Sequence, residues 1–407
     1  MISIDELMMR ALPDGWTWKT IGDIADVVSG GTPSTSDASN FENGEIPWLT
    51  PADLSGYTAK FVSGGARRLT QKGLHSCGAK LIPAGAILFT SRAPIGYVAI
   101  ASNPISTNQG FKNFVLRDDA LPEYVYWWLK GAKQLAESLA SGTTFLEISG
   151  TNAKKLPIPI APLATQREIV AELEKQFSRL DEAVANLQRV KANLKRYKDS
   201  VYSESFGNEP NSTLGDLIEV GPQNGLYLPK DLYGDGVPIL RIDDYQTAWI
   251  RPVQELRRVK ATQEQISTWA LCEDDLLVNR VNSMTHLGKC VRIPKSLSGT
   301  VFESNMMRVR LTAAASPKYV EHYLASGLGK KRLIGNAKWA VNQASINQKD
   351  VRATPIFIPD LPAQLALVTE IDRQLSIVRE VEAEVDANLQ RAQALRQATL
   401  SKAFAVA

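Results

Sequence analysis

Ala185-Asn186-Leu187-Gln188-Arg189 recurs letter for letter as Ala387-Asn388-Leu389-Gln390-Arg391. Each copy lies in a stretch of about forty residues with a helical texture. After Pro162 and after Pro362 no further proline interrupts, no glycine occurs before Gly207, and Glu, Lys, Arg, Gln, Ala and Leu dominate. These are strong helix formers, so two long helices are expected. Apolar residues follow coiled-coil spacing at Leu173, Phe177, Leu180, Val184 and Leu187, then Val190, Leu194, Tyr197 and Val201. The step of three from Leu187 to Val190 breaks the heptad locally. Ile371, Leu375, Val378, Val385, Leu389 and Ala392 continue an equivalent stripe in the second stretch, with Glu382 interrupting it. Neither stripe suffices for a stable helix alone in water, and each is the economical partner of the other.

Outward from the helices the chain repeats itself at a shift of about 190 to 200 residues, and such internal repeats decide architecture. Ile21-Gly22-Asp23-Ile24 returns as Leu214-Gly215-Asp216-Leu217, and Pro47-Trp48-Leu49 as Pro238-Ile239-Leu240. Both pairs are read as short strands near a domain's start. Tyr124-Val125 with Leu129 answers Tyr319-Val320 with Leu324, a helical stretch, and Pro157-Ile158-Pro159-Ile160 answers Pro355-Ile356-Phe357-Ile358, an extended one. Between these marks lie short β-like runs such as Gly85 to Thr90 and Asp274 to Val278, punctuated by Gly, Pro, Ser and Asn.

The expected architecture is two pseudo-repeated α/β globular domains, separated and joined by two long antiparallel α-helices that form a coiled coil. The boundaries expected are 1–160 and 208–358 for the globular domains, and 161–207 and 359–407 for the helices. At 1.5 Å per residue the first helix would separate the domains by roughly 60 Å. A returning second helix would relate them by an approximate two-fold axis, the symmetry of duplex DNA and of proteins that touch two separated half-sites.

Composition is less informative. The chain has 407 residues, 46 Lys+Arg against 43 Asp+Glu, and a net charge of +3, with no segment that concentrates it into a basic stripe. No run approaches the ~18 apolar residues of a membrane span, and Met1 to Glu6 lacks the layout of a signal peptide, so a cytoplasmic location is expected. Cys77, Cys272 and Cys290 are scattered without a C-x-x-C pair, which argues against a zinc ribbon or a disulfide framework.

Several stretches resemble the specificity subunit of Type I restriction-modification systems. They are Ser29-Gly30-Gly31-Thr32-Pro33-Ser34, Ser91-Arg92-Ala93-Pro94-Ile95-Gly96 and Asn108-Gln109-Gly110-Phe111. A further group comprises Gly142-Thr143-Thr144, Ile148-Ser149, and Leu156-Pro157-Ile158-Pro159-Ile160-Ala161-Pro162-Leu163 with Gln166 and Ile169. The second half departs from the pattern: Gly335-Asn336-Ala337-Lys338-Trp339 stands for the Gly-Thr-Thr run and Arg280-Val281-Asn282-Ser283 for Ser-Arg-Ala-Pro. The resemblance implies a DNA sequence-recognition subunit in which each α/β domain reads one half of a bipartite target. It implies helices that act as a ruler and dock two methyltransferase subunits, to which endonuclease/translocase subunits are added. S-adenosylmethionine, ATP and magnesium then belong to those partners.

Catalytic signatures are missing. No Pro-Pro pair exists, so the tetrapeptide of an amino-methyltransferase is absent; Gly329-Lys330-Lys331 lacks the hydroxyl of a phosphate-binding loop. No lysine has an acidic residue two positions before it, and His75, His286 and His322 are too far apart for H-E-x-x-H. The alternatives are a nuclease or methyltransferase whose site assembles only on folding, and a helical scaffold that binds no DNA.

Arg, Lys, Asn and Gln read base edges, whereas Ser, Thr and backbone amides hold phosphates. On that basis the DNA-contact candidates of the first domain are Ser29, Gly30, Gly31, Thr32, Arg92, Asn108, Gln109, Lys112, Thr143 and Thr144. Gly30 and Gly31 either bring their amides to a phosphate or make a plain tight turn. By position the second domain offers Gln223, Asn224, Arg241, Arg280, Asn282, Asn305, Lys338, Asn342 and Gln343. Tyr124, Trp127 and Trp128 read as core rather than as a stacking platform. The Lys195-Arg196-Tyr197-Lys198 cluster either grips DNA or solvates a helix face.

Overall fold

The computed structural model describes residues 4–142, 146–246, 249–283, 285–340 and 343–404. The chain forms two compact units, one of Met1–Leu187 with Ala387–Ala407 and one of Gln188–Asp386. Both long helices are continuous, from Leu163 to Phe206 and from Leu361 to Ala403, so each contributes one portion to each unit.

In the first unit a five-stranded sheet has the order Ala25–Ser29, Phe111–Leu116, Ile87–Thr90, Val98–Ala101, Phe61–Val62. All neighbours are antiparallel except the last pair. Ile87 to Thr90 is buried throughout, as expected of a strand covered on both faces. A three-stranded sheet places Ile46–Leu49 between Arg67–Leu69 and Ser106–Thr107. The helix Pro122–Gly131 buries every residue from Tyr124 to Leu129, so Tyr124, Trp127 and Trp128 belong to the core.

The second unit repeats this plan. Ile218–Asn224, Met306–Leu311, Leu276–Asn279 and Cys290–Arg292 form a four-stranded antiparallel sheet in that order. A three-stranded sheet places Tyr233–Leu240 between Arg258–Val259 and Val301–Phe302, with one antiparallel and one parallel pair as in its counterpart. The helix Pro317–Ala325 takes the place of Pro122–Gly131.

The repeat extends to individual hydrogen bonds. Tyr124 Oη donates to the Pro159 carbonyl and Tyr319 Oη to that of Phe357; Trp128 Nε1 donates to Pro157 and Tyr323 Oη to Pro355. Gln166 Nε2 donates to Ala161 and Asp119 carbonyls while its Oε1 accepts from the Leu121 amide. Gln364 does the same with Pro359, Ala314 and Ser316.

Within each unit the helix portions pair antiparallel. In the first, Arg396 forms an ion pair with Asp181, and Leu173, Phe177, Leu400 and Phe404 share one core. In the second, Lys191 Nζ lies 2.6 Å from Asp386 Oδ1, and Val201, Tyr202 and Phe206 share a core with Val368, Ile371 and Leu375.

Two expectations need correcting. Ile21–Ile24 and Leu214–Leu217 are single helical turns, not strands. Thr20 and Thr213 stand before them, and Asp23 and Asp216 accept from the amides and hydroxyls of those threonines, a capping box that outweighs the apolar content. In the heptad stripe, Val190 and Tyr197 are exposed, while Tyr202 and Phe206, which the stripe omits, are buried. The local break after Leu187 turns the buried face to new positions.

Candidate nucleic-acid interface

Antiparallel register brings the candidates of the first unit to one end of its large sheet. Ser29, the last residue of its strand, lies opposite Lys112, and Phe89 and Thr90 end the neighbouring strand opposite Lys112 and Phe111. Beyond the strand ends the loops are tied together through the backbone. Ser91 N–H donates to the Gly110 carbonyl at 2.7 Å, Ile148 N–H to Ser91 at 3.0 Å, and Asn108 N–H to Leu49 at 2.9 Å. Ser29 and Lys112 near the strand ends, and Thr32, Arg92, Asn108 and Gln109 in the loops beyond, are therefore gathered at one end of the sheet. Such loop ends on a rigid sheet are where binding residues are best placed.

Glu147 organises the cations there. Its two carboxylate oxygens lie 3.3 Å from Arg92 Nη1 and 3.5 Å from Lys112 Nζ, with Lys112 itself nearly buried. Thr32 Oγ1 donates to Gln109 Oε1, and Asn108 Oδ1 accepts from the Gly110 amide. Sequence reasoning missed Glu147 because base reading and phosphate binding both point to donors; an acid that holds two readers leaves no local motif.

The glycines, expected either to bring their amides to a phosphate or to make a tight turn, spend both amides on backbone contacts. Gly30 N–H donates to Phe111 and Gly31 N–H to Thr107, so both amides are already engaged. A side chain at Gly30 would overlap the carbonyl oxygens of Thr107 and Asn108, and one at Gly31 would overlap Gly78 and Ala79. The pair permits close backbone packing beneath the loops.

The second unit builds the same end from different side chains. Gly225 N–H donates to Met306 as Gly30 does to Phe111, and a Cβ there would overlap Glu303 and Phe302. Arg280 N–H donates to Asn305 and accepts at its carbonyl from Ile346, which repeats the Ser91 contacts. Asn224, Arg280, Asn282, Asn305 and Lys338 collect here, with Val281–Asn282, Gln343–Ser345 and Lys338–Ala340 forming a small antiparallel sheet. Among the described residues, Ser91 Oγ and Arg280 Nε, equivalent in the repeat, are two of the buried polar atoms without a hydrogen-bond partner.

Several candidates are occupied internally. Gln223 does not present a free amide: its Oε1 accepts from Arg308 and its Nε2 donates to the Thr268 carbonyl. Arg241 Nε donates to Glu303 Oε2 at 3.0 Å, an acid also missed, and Arg280 Nη1 donates to the Ser304 carbonyl at 3.0 Å. Asn282 Oδ1 accepts from the Ser283 amide. Asn224 and Lys338 are exposed. Thr143, Thr144 and Asn342 lie outside the described residues, and Gln343 is placed by its backbone pairing with Ala340. In the basic cluster, Lys195 and Arg196 are exposed, whereas Lys198 lines a cavity of the second unit.

Among the described residues no group of three or more His, Cys, Asp and Glu is arranged to hold a metal ion, and no helix is long and apolar enough to cross a membrane.

Residues 13–195 match the Type I restriction modification DNA specificity domain. The Type I restriction enzyme MjaIX specificity subunit of Methanocaldococcus jannaschii is 40% identical over 181 residues, which covers 44% of this chain and 40% of that protein. The Type I restriction enzyme EcoKI specificity subunit of Escherichia coli K12 is 23% identical over 417 residues, covering 97% of this chain and 89% of that one. A solved structure described under complex assembly and conformational transition of the type I R-M system aligns with a TM-score of 0.79 at 19% identity, over 97% of this chain and 99% of its own. The HsdS subunit from Thermoanaerobacter tengcongensis aligns with a TM-score of 0.55 at 19% identity, over 99% of each chain. These two likenesses are of fold.

Proposed function

We propose that the chain is a specificity subunit of a Type I restriction-modification system, and that each unit reads one half of a bipartite duplex-DNA target with the loop end of its sheet. The observation that carries this reading is the duplicated loop end, where Gly30 and Gly225 make one backbone contact and Ser91 and Arg280 another. One scaffold thus presents two different sets of polar side chains. In the first unit Arg92 and Gln109 are the base readers, with Ser29 and Thr32 positioned for phosphates and the nearly buried Lys112 holding Glu147 beneath them; Arg280, Asn224, Asn305 and Lys338 serve the second.

The chain carries no catalytic site of its own. The paired helices dock two methyltransferase subunits, endonuclease/translocase subunits join through them, and S-adenosylmethionine, ATP and magnesium act on those partners. Residues 1–160 and 208–358 are the two readers, and the helices at 161–207 and 359–407 set the spacing of the half-sites.

Mapping methylated adenines in cells that carry the chain with its methyltransferase tests this. Exchange of residues 1–160 for those of a relative is expected to change one half of the methylated site and leave the other intact. A change in both halves would overturn independent reading. The purified chain with DNA, magnesium and S-adenosylmethionine is expected neither to cleave nor to methylate.

A further inference from the structure

The two units differ at one place where their repeat would have them agree. Phe404 packs on Tyr124 and Trp128 in the first unit, and Phe206 packs on Tyr319 and Tyr323 in the second, so these phenylalanines are equivalent. Gln166 and Gln364 are equivalent by their hydrogen bonds. The eighth residue before each phenylalanine is Arg396 or Lys198, and the fifteenth after each glutamine is Asp181 or Arg379.

In the first unit these positions hold an ion pair, Arg396 to Asp181. The Arg396 guanidinium also lies 4.7 Å from the centre of the Phe177 ring, and Trp127 packs on the same ring at 4.8 Å. In the second unit the same positions hold two cations, Lys198 and Arg379, and both line a cavity of about 660 Å³. The aromatic packing differs too, because Glu321 and His322 stand where the first unit has Tyr126 and Trp127, and Leu375 where it has Phe177.

Arg379 is exposed and Lys198 half-buried, and two of the three carboxylates on this wall are engaged by other groups. Asp372 is taken by Lys318 and His322. Glu321 accepts the Arg292 amide at 2.9 Å, and burial pushes its carboxyl upward, which disfavours its charge. Glu382 is the remaining carboxylate of the wall. Against it stand Lys198, Arg379, Lys289 and Lys330. Lys289 donates to the Tyr245 carbonyl and Lys330 to that of Thr285 at 2.7 Å, both neutral partners. Burial lowers the pKa of Lys289 and of Lys330, the strain that an added anion would relieve.

We propose that this cavity binds a small phosphate-bearing anion between Lys198 and Arg379, with Lys289 and Lys330 adding charge. Its volume falls within the range of roughly 300 to 1,000 Å³ usual for small-molecule pockets, more than a halide needs. Several cations in one cavity suit a ligand that carries several charges on few atoms, and the planar Arg379 fork matches two oxygens of a phosphate. Tyr202, Leu375 and Val378 supply an apolar flank against which a nucleoside could pack. Anion binding here does not depend on DNA reading.

Titration calorimetry of the full chain with sodium tripolyphosphate, and separately with a nucleoside triphosphate, at fixed ionic strength tests it. One saturable site is expected, weakened about tenfold or more by Lys198→Gln and by Arg379→Gln. Arg379→Asp, which restores the acid–base pair of the first unit, is expected to abolish binding and to remove the rise in Tm that the anion gives the unaltered chain. Tighter binding of the nucleoside triphosphate assigns the apolar flank to a base, and equal binding assigns the site to phosphate alone. Absence of saturable binding overturns the proposal. So does an unchanged affinity in Arg379→Gln, or an equal loss in Lys195→Gln, a neighbouring lysine off the cavity wall. Should Arg379→Asp fail to fold, the two glutamine variants decide.

Discussion

Gln166 and Gln364, both fully buried, make the same three hydrogen bonds in different units, each clasping the start of a long helix to the loop before the domain's main helix. A buried amide that satisfies two carbonyls and an N–H is costly to remove, because the backbone groups it served stay buried and unpaired.

Gln364→Met keeps the side chain's length but serves none of the three groups. It is expected to destabilise the second unit by about 3 kcal/mol. Hydrogen exchange is expected to quicken around Ser316 and the start of the second long helix while the first unit's core strand Ile87–Thr90 stays protected. Uniform acceleration throughout the chain would show that the clasp is not local to its unit.

At the first loop end, Glu147 neutralises part of the charge of Arg92 and Lys112. Glu147→Gln releases the half-exposed Arg92 without changing shape and leaves the nearly buried Lys112 without its carboxylate. Affinity for unrelated DNA is expected to rise, with a salt dependence steeper by roughly 0.9 for each additional phosphate neutralised. Arg92→Ala is expected to cost about 1 to 3 kcal/mol at one base pair of the first half-site only. A uniform loss over all sequences would make Arg92 a phosphate ligand, and a weaker Glu147→Gln would mean that the carboxylate positions the readers instead of restraining them.

Gly30 and Gly225 are required by space. Alanine at either position meets backbone carbonyl oxygens, which cannot move aside as a flexible side chain could. Gly30→Ala and Gly225→Ala are each expected to lose about 1 to 3 kcal/mol in denaturant unfolding, the range of overpacked sites. Ser29→Ala, next to Gly30 on an exposed position, is expected to stay within about 0.5 kcal/mol. Near-normal stability of Gly30→Ala would contradict the close approach.

What the sequence makes legible follows from period and repetition. The long helices are plain because proline and glycine are absent from them, and duplication aligns elements that are ambiguous singly, such as the helices at Tyr124 and Tyr319. Ile21–Ile24 misleads because four residues are too few to show a period, and only the Thr20–Asp23 geometry reveals the turn. At the interface, spacing gathers the right segments but does not say which side chains are spent internally. Gln223 looks like a reader until Arg308 is seen to hold it. Lys198 reads as part of a basic cluster that either grips DNA or solvates a helix face, and its setting beside Arg379 emerges only when the equivalent Arg396 and Asp181 are found paired.

His322 gives the second unit a pH-dependent stability. It is 9% exposed, and burial pulls its imidazole below the usual 6.5, with Asp372 pulling the other way and Lys318 and Arg379 adding to the depression. In the unfolded chain it takes its proton as pH falls through about 6.5, whereas the folded site resists until lower pH. Over that interval the unfolded chain binds more protons, so stability falls as pH falls. Glu321 acts in the opposite sense, because burial raises its carboxyl above 4.5 and the folded state takes that proton first. Comparison with His322→Asn separates the two. Between about pH 7.5 and about pH 5.5 the urea midpoint of the unaltered chain is expected to drop further than that of His322→Asn. Parallel slopes would remove His322 as the source, and a steeper slope in the variant would show that Asp372 holds the imidazolium more strongly than burial expels it.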